Sequence, residues 1–334
     1  NSLVEAYLKC GYVTEAQAVF DNLLCKDSLS WNTFMMGLLD CGFVEDFLYY
    51  MDQMEMDGLS PDAVTFLCVL KACSMMGLIE KGQKIHAKIV THGIISHPLA
   101  GSSLIDMYVK FGFLEEAKYM FDKLPYHDVV SWTELISGFA ECGNNEQALG
   151  CLNKMRIEGI NPNAATYICC LKMCGNSRTV VEGMVLHNQV IEEGFDSDSI
   201  VTNTIVDMYG KLGLLSEAEQ EFDGLLIQDA VSWTSVISSK VEHGHPEKAL
   251  MCVEQMQKKG IPLNALILVW SLRACATLRA LEKGLECYTW LIKVGLDEEM
   301  SIGMVLVEML SNCGLFVDSH KVLQHWQLFD TISW

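Results

Sequence analysis

A chain that repeats itself at one fixed offset can bury its apolar surface only by stacking like units, and here the offset is 101 residues. Trp31, Trp132, Trp233 and Trp334 mark it, each preceded by a Ser. The same spacing relates Tyr7, Tyr108 and Tyr209; Gly11, Gly112, Gly213 and Gly314; Phe20, Phe121 and Phe222; and Gly58, Gly159 and Gly260. Glycine turns followed by Glu-Ala or Lys-Gly helix starts divide each period into units of 31, 35 and 35 residues. Each unit reads as two helices. In the unit 129–163, Trp132, Leu135, Ile136 and Phe139 recur at helical spacing, residues 143–145 interrupt, and Ala148, Leu149, Leu152 and Met155 resume before Gly159 and Pro162. A helix pair of this size cannot cover its own apolar face, so the expected fold is all-α: an α-solenoid with a concave and a convex side.

Composition narrows the function classes. Of 334 residues half are hydrophobic, and 43 acidic against 23 basic residues give a formal charge of −20, which excludes a reader that holds nucleic acid chiefly through a general positive field. Apolar runs such as 265–272 fall far short of the ~18–20 residues of a membrane helix. The 14 Cys sit inside apolar helical patterns of a long chain and read as reduced, packed thiols. The sequence opens at Asn1 and closes at Trp334 inside a motif, so it carries no information on a targeting peptide.

Units such as VVSWTELISGFAECGNNEQALGCLNKMRIEGINPN and SIVTNTIVDMYGKLGLLSEAEQEFDGLLIQD resemble pentatricopeptide repeats. The alternation of short units of 31, units of 35 bearing Ser-Trp, and units of 35 bearing KACSMMGLIEKGQKIHAKIVTHG is similar to the S, P and L motifs of the PLS class of plant organelles. In that register a partial S unit covers 1–27, P 28–62, L 63–97, S 98–128, P 129–163, L 164–198, S 199–229, P 230–264, L 265–299 and S 300–330, with a stub at 331–334. The resemblance implies a superhelix of stacked helix-turn-helix motifs over the whole chain.

It also implies that the fifth and last residues of a P or S unit together read one RNA base on its Watson–Crick edge. Those pairs are Asn1 with Asp27, Asn32 with Asp62, Ser102 with Asp128, Thr133 with Asn163, Asn203 with Asp229, Thr234 with Asn264, and Met304 with Asp330. The L units offer Leu67 with His97, Ile168 with Asp198 and Val269 with Glu299, which lack a small polar fifth residue and stay unread. By the family's code the bound strand is 5′-UUnGAnUAnU-3′. The second residues Leu29, Leu99, Val130, Ile200 and Val231 would sandwich bases; in an isolated helix pair they read rather as inter-helix packing, and the register match across the chain reverses that reading.

Lys9, Lys110 and Lys211 in S units, and Lys71, Lys172 and Arg273 in L units, recur in phase on the inner stripe and are candidates for phosphate contacts. Asp40, Glu141 and Glu242 stand in phase against them. Glu115, Glu116, Glu217 and Glu219 fall at the starts of second helices, where acid suits the helix dipole.

Catalytic chemistry is not indicated. His245-Pro246-Glu247 imitates half of a zinc-deaminase signature, but no Cys-x-x-Cys follows and its counterparts are residues 144–146. His86 and His187, with Tyr288 as the third copy, and Cys73, Cys174 and Cys275 read as motif columns rather than ligands. No metal, cofactor, membrane or DNA partner is expected. The resemblance implies sequence-specific binding of single-stranded organellar RNA, selecting sites for C-to-U editing or related processing in mitochondrion or chloroplast. A deaminase domain in cis or trans and small organellar editing cofactor proteins would be its partners. The other reading is a non-catalytic scaffold solenoid that binds protein, favoured by the charge of −20 and by departures such as Leu263 and Leu310.

Overall fold

The computed structural model describes residues 1–91, 93–96, 98–294 and 300–332, and their side chains except at 44, 45, 47, 48, 96, 98, 99, 294, 300, 301 and 325–332. The described residues form twenty α-helices and one short 3₁₀ turn at Ile94–Ser96, without strands. They fall into two compact units, Asn1–Thr166 and Tyr167–Trp334. In chain order the first contains α1 (Ser2–Lys9), α2 (Val13–Asp21), α3 (Ser28–Asp40), α4 (Val44–Met56), α5 (Ala63–Met76), α6 (Ile79–Thr91), α7 (Pro98–Lys110), α8 (Leu114–Asp122), α9 (Val129–Glu141) and α10 (Asn145–Ile157). The division falls within α11 (Ala164–Ser177). The second unit continues with α12 (Val180–Glu192), α13 (Ser199–Leu212), α14 (Leu215–Gly224), α15 (Ala230–Glu242), α16 (Pro246–Lys258), α17 (Ala265–Leu278), α18 (Leu281–Val294), α19 (Met300–Asn312) and α20 (Phe316–Ile332).

The odd-numbered helices, which open the motifs, pack side by side within each unit: α5 on α7 and α7 on α9 in one, α13 on α15 and α17 on α19 in the other. Apart from α11, each also packs on the even-numbered helix that follows it, as in α7 with α8 and α15 with α16. The result in either unit is a two-layered helical solenoid. Most turns between the paired helices close on Gly residues in the left-handed region, as at Gly112 (φ 74°) and Gly213 (φ 77°), whereas before α12 and α18 Arg178 (φ 56°) and Arg279 (φ 55°) take that conformation, which strains a side chain.

The starts of most first helices are set by one device, whereas the described caps of second helices have no side-chain bond. Asp27, Asp62, Asp128 and Asp229 adopt extended backbone and accept the amide of the third helical residue, with distances of 2.8 Å from Ser30, 2.9 Å from Thr65, 2.8 Å from Ser131 and 2.9 Å from Ser232. Asn163 and Asn264 do the same for Thr166 and Ile267 at 2.9 and 2.8 Å. At Asp62 and Asp128 the third residue answers through its hydroxyl, completing a capping box. Ser30, Ser131 and Ser232 therefore belong to the cap, and the Trp beside each begins the buried face.

That Trp meets the Phe one helix earlier. Phe20–Trp31, Phe121–Trp132 and Phe222–Trp233 are edge-to-face pairs with centroids 4.9, 4.5 and 4.7 Å apart. Two columns of the 101-residue repeat are thus the two sides of one recurring contact, in the geometry that the ring quadrupoles favour. A second pair of columns is size-matched across the S-to-P helix contact. Leu8 faces Gly37 and Val109 faces Gly138, whereas in the third copy Gly210 faces Ser239. A Cβ at Gly138 would lie 2.5 Å from Val109 Cγ2, and one at Gly210 would lie 2.8 Å from Ser239 Cβ, so each copy places its small residue on one side only.

This size matching is testable by urea unfolding. Gly138→Ser is expected to cost about 1–3 kcal/mol through overpacking against Val109. With Val109→Gly added, reproducing the third copy, the double variant is expected to be less destabilised than the sum of the singles by about 1 kcal/mol.

Candidate nucleic-acid interface

The capping residues are also the ones that the expected register places last in the motifs, and at Asp62, Asp229 and Asn264 one carboxylate or amide meets both the next helix and the expected fifth residue. Asn32 Nδ2 donates to Asp62 Oδ1 at 3.0 Å, Asn203 Nδ2 reaches Asp229 Oδ1 at 3.5 Å, and Asn264 Nδ2 reaches Thr234 Oγ1 at 3.4 Å. Thr133 joins Asn163 through Thr166, whose hydroxyl lies 2.7 Å from Thr133 Oγ1 and 3.0 Å from Asn163 Oδ1. Ser102 and Asp128 share a small cleft with Tyr126. Asp27 caps α3, and Asn1 precedes α1 as its exposed N-cap residue. Met304 is exposed on α19, while the side chains of Asp330 and Leu99, together with His97 and Glu299, lie outside the described residues.

Within the fifth-residue column the hydroxyls of Thr133 and Thr234 donate to the carbonyls of Val129 and Ala230, at 2.7 and 2.6 Å. Each hydroxyl also has a neighbour in the groove: Thr166 Oγ1 for Thr133, and for Thr234 the amide Nδ2 of Asn264, which donates to Thr234 Oγ1. Asn32 is turned further inward than its counterparts. It is 5% exposed, and its Oδ1 lies 2.9 Å from the Thr65 hydroxyl, so both ends of the amide are engaged. Burial pushes the Asp62 carboxyl up, but bonds from the Thr65 amide and hydroxyl and from Asn32 outweigh it and hold the group below its ordinary range.

The second residues are not packed. Leu29, Val130, Ile200 and Val231 are 64%, 50%, 64% and 59% exposed, and Leu266, the same column in an L unit, is 60% exposed. Inter-helix packing therefore does not account for this apolar column. The columns converge in the second unit, where a cleft of about 600 Å³ is lined by Asn203 and Asp229, Thr234 and Asn264, Ile200 and Val231, with Lys172, Lys211, Asp207 and Glu242 among the charged groups. A smaller hollow of about 350 Å³ in the first unit brings Lys9, Thr33 and Asp40 together.

The basic stripe is less available than its phase suggests. Lys9 pairs with Glu5 at 2.7 Å, Lys71 with Asp40 at 3.0 Å, Lys110 with Asp106 at 2.8 Å and Lys211 with Asp207 at 2.9 Å. Arg273 lies over the Trp270 ring, its Cζ 4.7 Å from the centroid, and Lys172 lines the open cleft. Partly exposed pairs of this kind are weak and yield to a competing phosphate or to salt. The acids of Lys9, Lys110 and Lys211 lie one helical turn earlier on the same helix and recur with the period, whereas the pairing of Lys71 with Asp40 on the adjacent helix becomes visible only when the helices are stacked.

Two features escape a reading by motif columns. Glu134, which follows the fifth residue in α9, is raised above its ordinary carboxyl range by burial first and then by the charges of Asp106 and Glu141, against the opposing charge of Lys110. Its counterparts are Thr33 and Ser235, so no recurring charge announces it. Trp270 is likewise unmatched by its copies, Cys68 and Cys169. The other singled-out groups have structural partners: His86 and His187 bond Tyr108 and Tyr209 at 2.8 Å, and Cys73, Cys174 and Cys275 are fully buried. His245 precedes α16 as its N-cap residue, with Pro246 and Glu247 in the first turn. Among the described residues no cluster of three potential metal ligands occurs, and no helix is long and apolar enough to cross a membrane.

A carboxyl raised in the folded state favours folding most when protonated, and that contribution is lost as pH rises through the folded value. Glu134→Gln is therefore expected to be more stable than the parent at pH 7. The difference should shrink to nothing as pH falls below 4.5, its ordinary value, in urea titrations at several pH values.

Comparison with known proteins follows the same columns. The PPR repeat model matches residues 1–27, 29–59, 102–129, 200–220 and 231–261, and the PPR repeat family model matches 127–176, together more than half of the chain. Two pentatricopeptide repeat-containing proteins of Arabidopsis thaliana are each 31% identical over 334 residues, spanning 100% of this chain and 48% and 44% of their own lengths. A third, named chloroplastic, is 32% identical over 100% of this chain and 37% of its own. The chain thus spans less than half the length of these relatives. Among solved structures, the pentatricopeptide repeat protein PPR10 in complex with an 18-nucleotide psaJ RNA element aligns with a TM-score of 0.76 at 19% identity, over 95% of this chain and 48% of that one. At that identity the likeness is one of fold.

Proposed function

The chain belongs to the pentatricopeptide repeat family, and from that premise we propose that it binds single-stranded RNA sequence-specifically, one base to each P or S unit. The observation that carries the reading is the cleft in the second unit. There the fifth and last residues of two consecutive units, Asn203 with Asp229 and Thr234 with Asn264, open beside two exposed apolar second residues. Apolar side chains left in solvent at a fixed repeat column suit base faces, and polar pairs one helical turn away suit base edges. In each capping Asp the described bonds all use Oδ1, which leaves Oδ2 for a ligand.

The proposed strand is 5′-UUnGAnUAnU-3′, laid with its 5′ end at the N-terminal unit. Because most inner lysines already face a carboxylate, phosphate attraction contributes little and base contacts carry the affinity. The chloroplastic naming of one relative and the RNA-bound state of PPR10 fit an organellar transcript as target. The division into S, P and L units fits a role in placing a cytidine 3′ of the bound stretch for editing. On this reading the chain itself is non-catalytic, the reaction falling to a deaminase domain in cis or trans, with organellar editing cofactor proteins as further partners.

One observation favours the scaffold reading in part. Helix capping by itself keeps Asp or Asn at the motif ends, so those columns would persist in a solenoid that binds only protein. Capping does not, however, keep the second-residue column apolar and exposed.

Fluorescence anisotropy with 5′-UUAGAAUAAU-3′ and a scrambled control, across a salt series, tests the proposal. Preferential binding of the first with a shallow salt slope is the expected result, and equal or absent binding of both by folded protein overturns it. Thr133→Asn with Asn163→Asp is expected to move the preference at the fifth base from A to U by about tenfold, the scale of one polar contact. The other base positions should not change.

A further inference from the structure

The L units lack a small polar fifth residue, yet the third of them contributes a planar group to the cleft that the other two do not have. Trp270 lies one helical turn beyond the exposed Leu266 on α17, and both line the 600 Å³ cleft beside Thr234 and Asn264. The indole is half-buried, its inner part resting on the core around Trp233 and Ile237. The exposed Arg273, one turn further, holds its guanidinium 4.7 Å from the ring centroid. In the first two copies the Trp position is Cys68 and Cys169, and the position of Arg273 is Lys71 and Lys172. The earlier copies therefore have neither the flat aromatic nor the flat cation.

An indole lining an open cleft with a guanidinium against it is a stacking platform, since every nucleobase offers a π-face and arginine planes stack on bases as rings do. The geometry points to Trp270 and Arg273 as a nucleobase-stacking site on the third L unit, which binds the base at the ninth position of the strand without reading its edge. This inference rests on the RNA reading of the same cleft. It makes the ninth nucleotide a contributor to affinity, with purines favoured over pyrimidines by their larger ring area. The third and sixth nucleotides, opposite the two earlier L units, have no such platform. Arg273 then acts as a planar partner rather than as the simple phosphate contact that its phase suggests.

Abasic substitutions in 5′-UUAGAAUAAU-3′ test the site with the 334-residue chain. Removing the ninth base is expected to weaken binding about tenfold, and removing the third or sixth base much less. Trp270→Leu, which keeps apolar bulk against the core, should weaken binding of the intact strand and abolish the penalty for the abasic ninth position. Trp270→Phe should retain part of the penalty, and Arg273→Lys should reduce it although the charge is kept. An undiminished penalty in a folded Trp270→Leu protein overturns the stacking site while leaving the RNA reading intact. Failure of the parent chain to bind the intact strand, with selective binding of neither RNA, overturns both. A 2-aminopurine at the ninth position gives a second readout: its fluorescence should be quenched on binding by the parent chain and less so by Trp270→Leu.

Discussion

The hydrogen bond from the third amide of a first helix to the Asp or Asn before it underlies the rest of the architecture. It fixes the residue at which each helix starts, and so fixes the rotational phase of everything that follows: Trp on the fourth position inward, the fifth residue along the groove, the second residue outward. Moving a helix start by one residue would turn these faces by ~100° and put the apolar second residue where the core is. Because the same side chain lies beside the fifth residue of the preceding motif, the groove chemistry is built from atoms already held rigid by the fold. At Asp62 the bonds from Thr65 and Asn32 orient the carboxyl and hold it below its ordinary range against the opposing effect of burial.

Between motifs the solenoid depends on shape. The edge-to-face Phe and Trp pairs recur because both partners recur, and their buried rings tie α3, α9 and α15 to the helix before each. The Leu8–Gly37, Val109–Gly138 and Gly210–Ser239 contacts show the same interface solved with opposite assignments of bulk. A single column inspected alone looks degenerate there. The pair of columns is constrained, because two packed helices have room for one large side chain between them and not two.

Charge is organised differently from what the net value suggests. The chain is strongly acidic, yet the inner stripe alternates lysines with carboxylates that pair with them. Along such a stripe each pair is close to neutral at short range and gives little long-range attraction for a polyanion. Recognition in it would rest on stacking and on base-edge hydrogen bonds, for which Ile200, Val231, Asn203 and Thr234 are placed together.

The sequence by itself determined the class of fold, the helix pairs and their order, because a strict period and a helical apolar pattern admit few other ways to bury Trp132, Leu135, Ile136 and Phe139. Recurrence at 101 residues also marked in-phase polar and apolar columns, and it was the family resemblance that singled some of them out as a candidate interface. What it did not reveal are features that recur in no column or that join different columns. Glu134 and Trp270 stand in one copy only, so periodicity passes over them. The double duty of Asp62 as cap and partner of Asn32, the pairing of Lys71 with Asp40, and the burial of Asn32 all involve residues about thirty positions apart. Those distances close only when one motif is stacked on the next. Local spacing sets which way a side chain points along its own helix, and only the tertiary structure decides what stands opposite it.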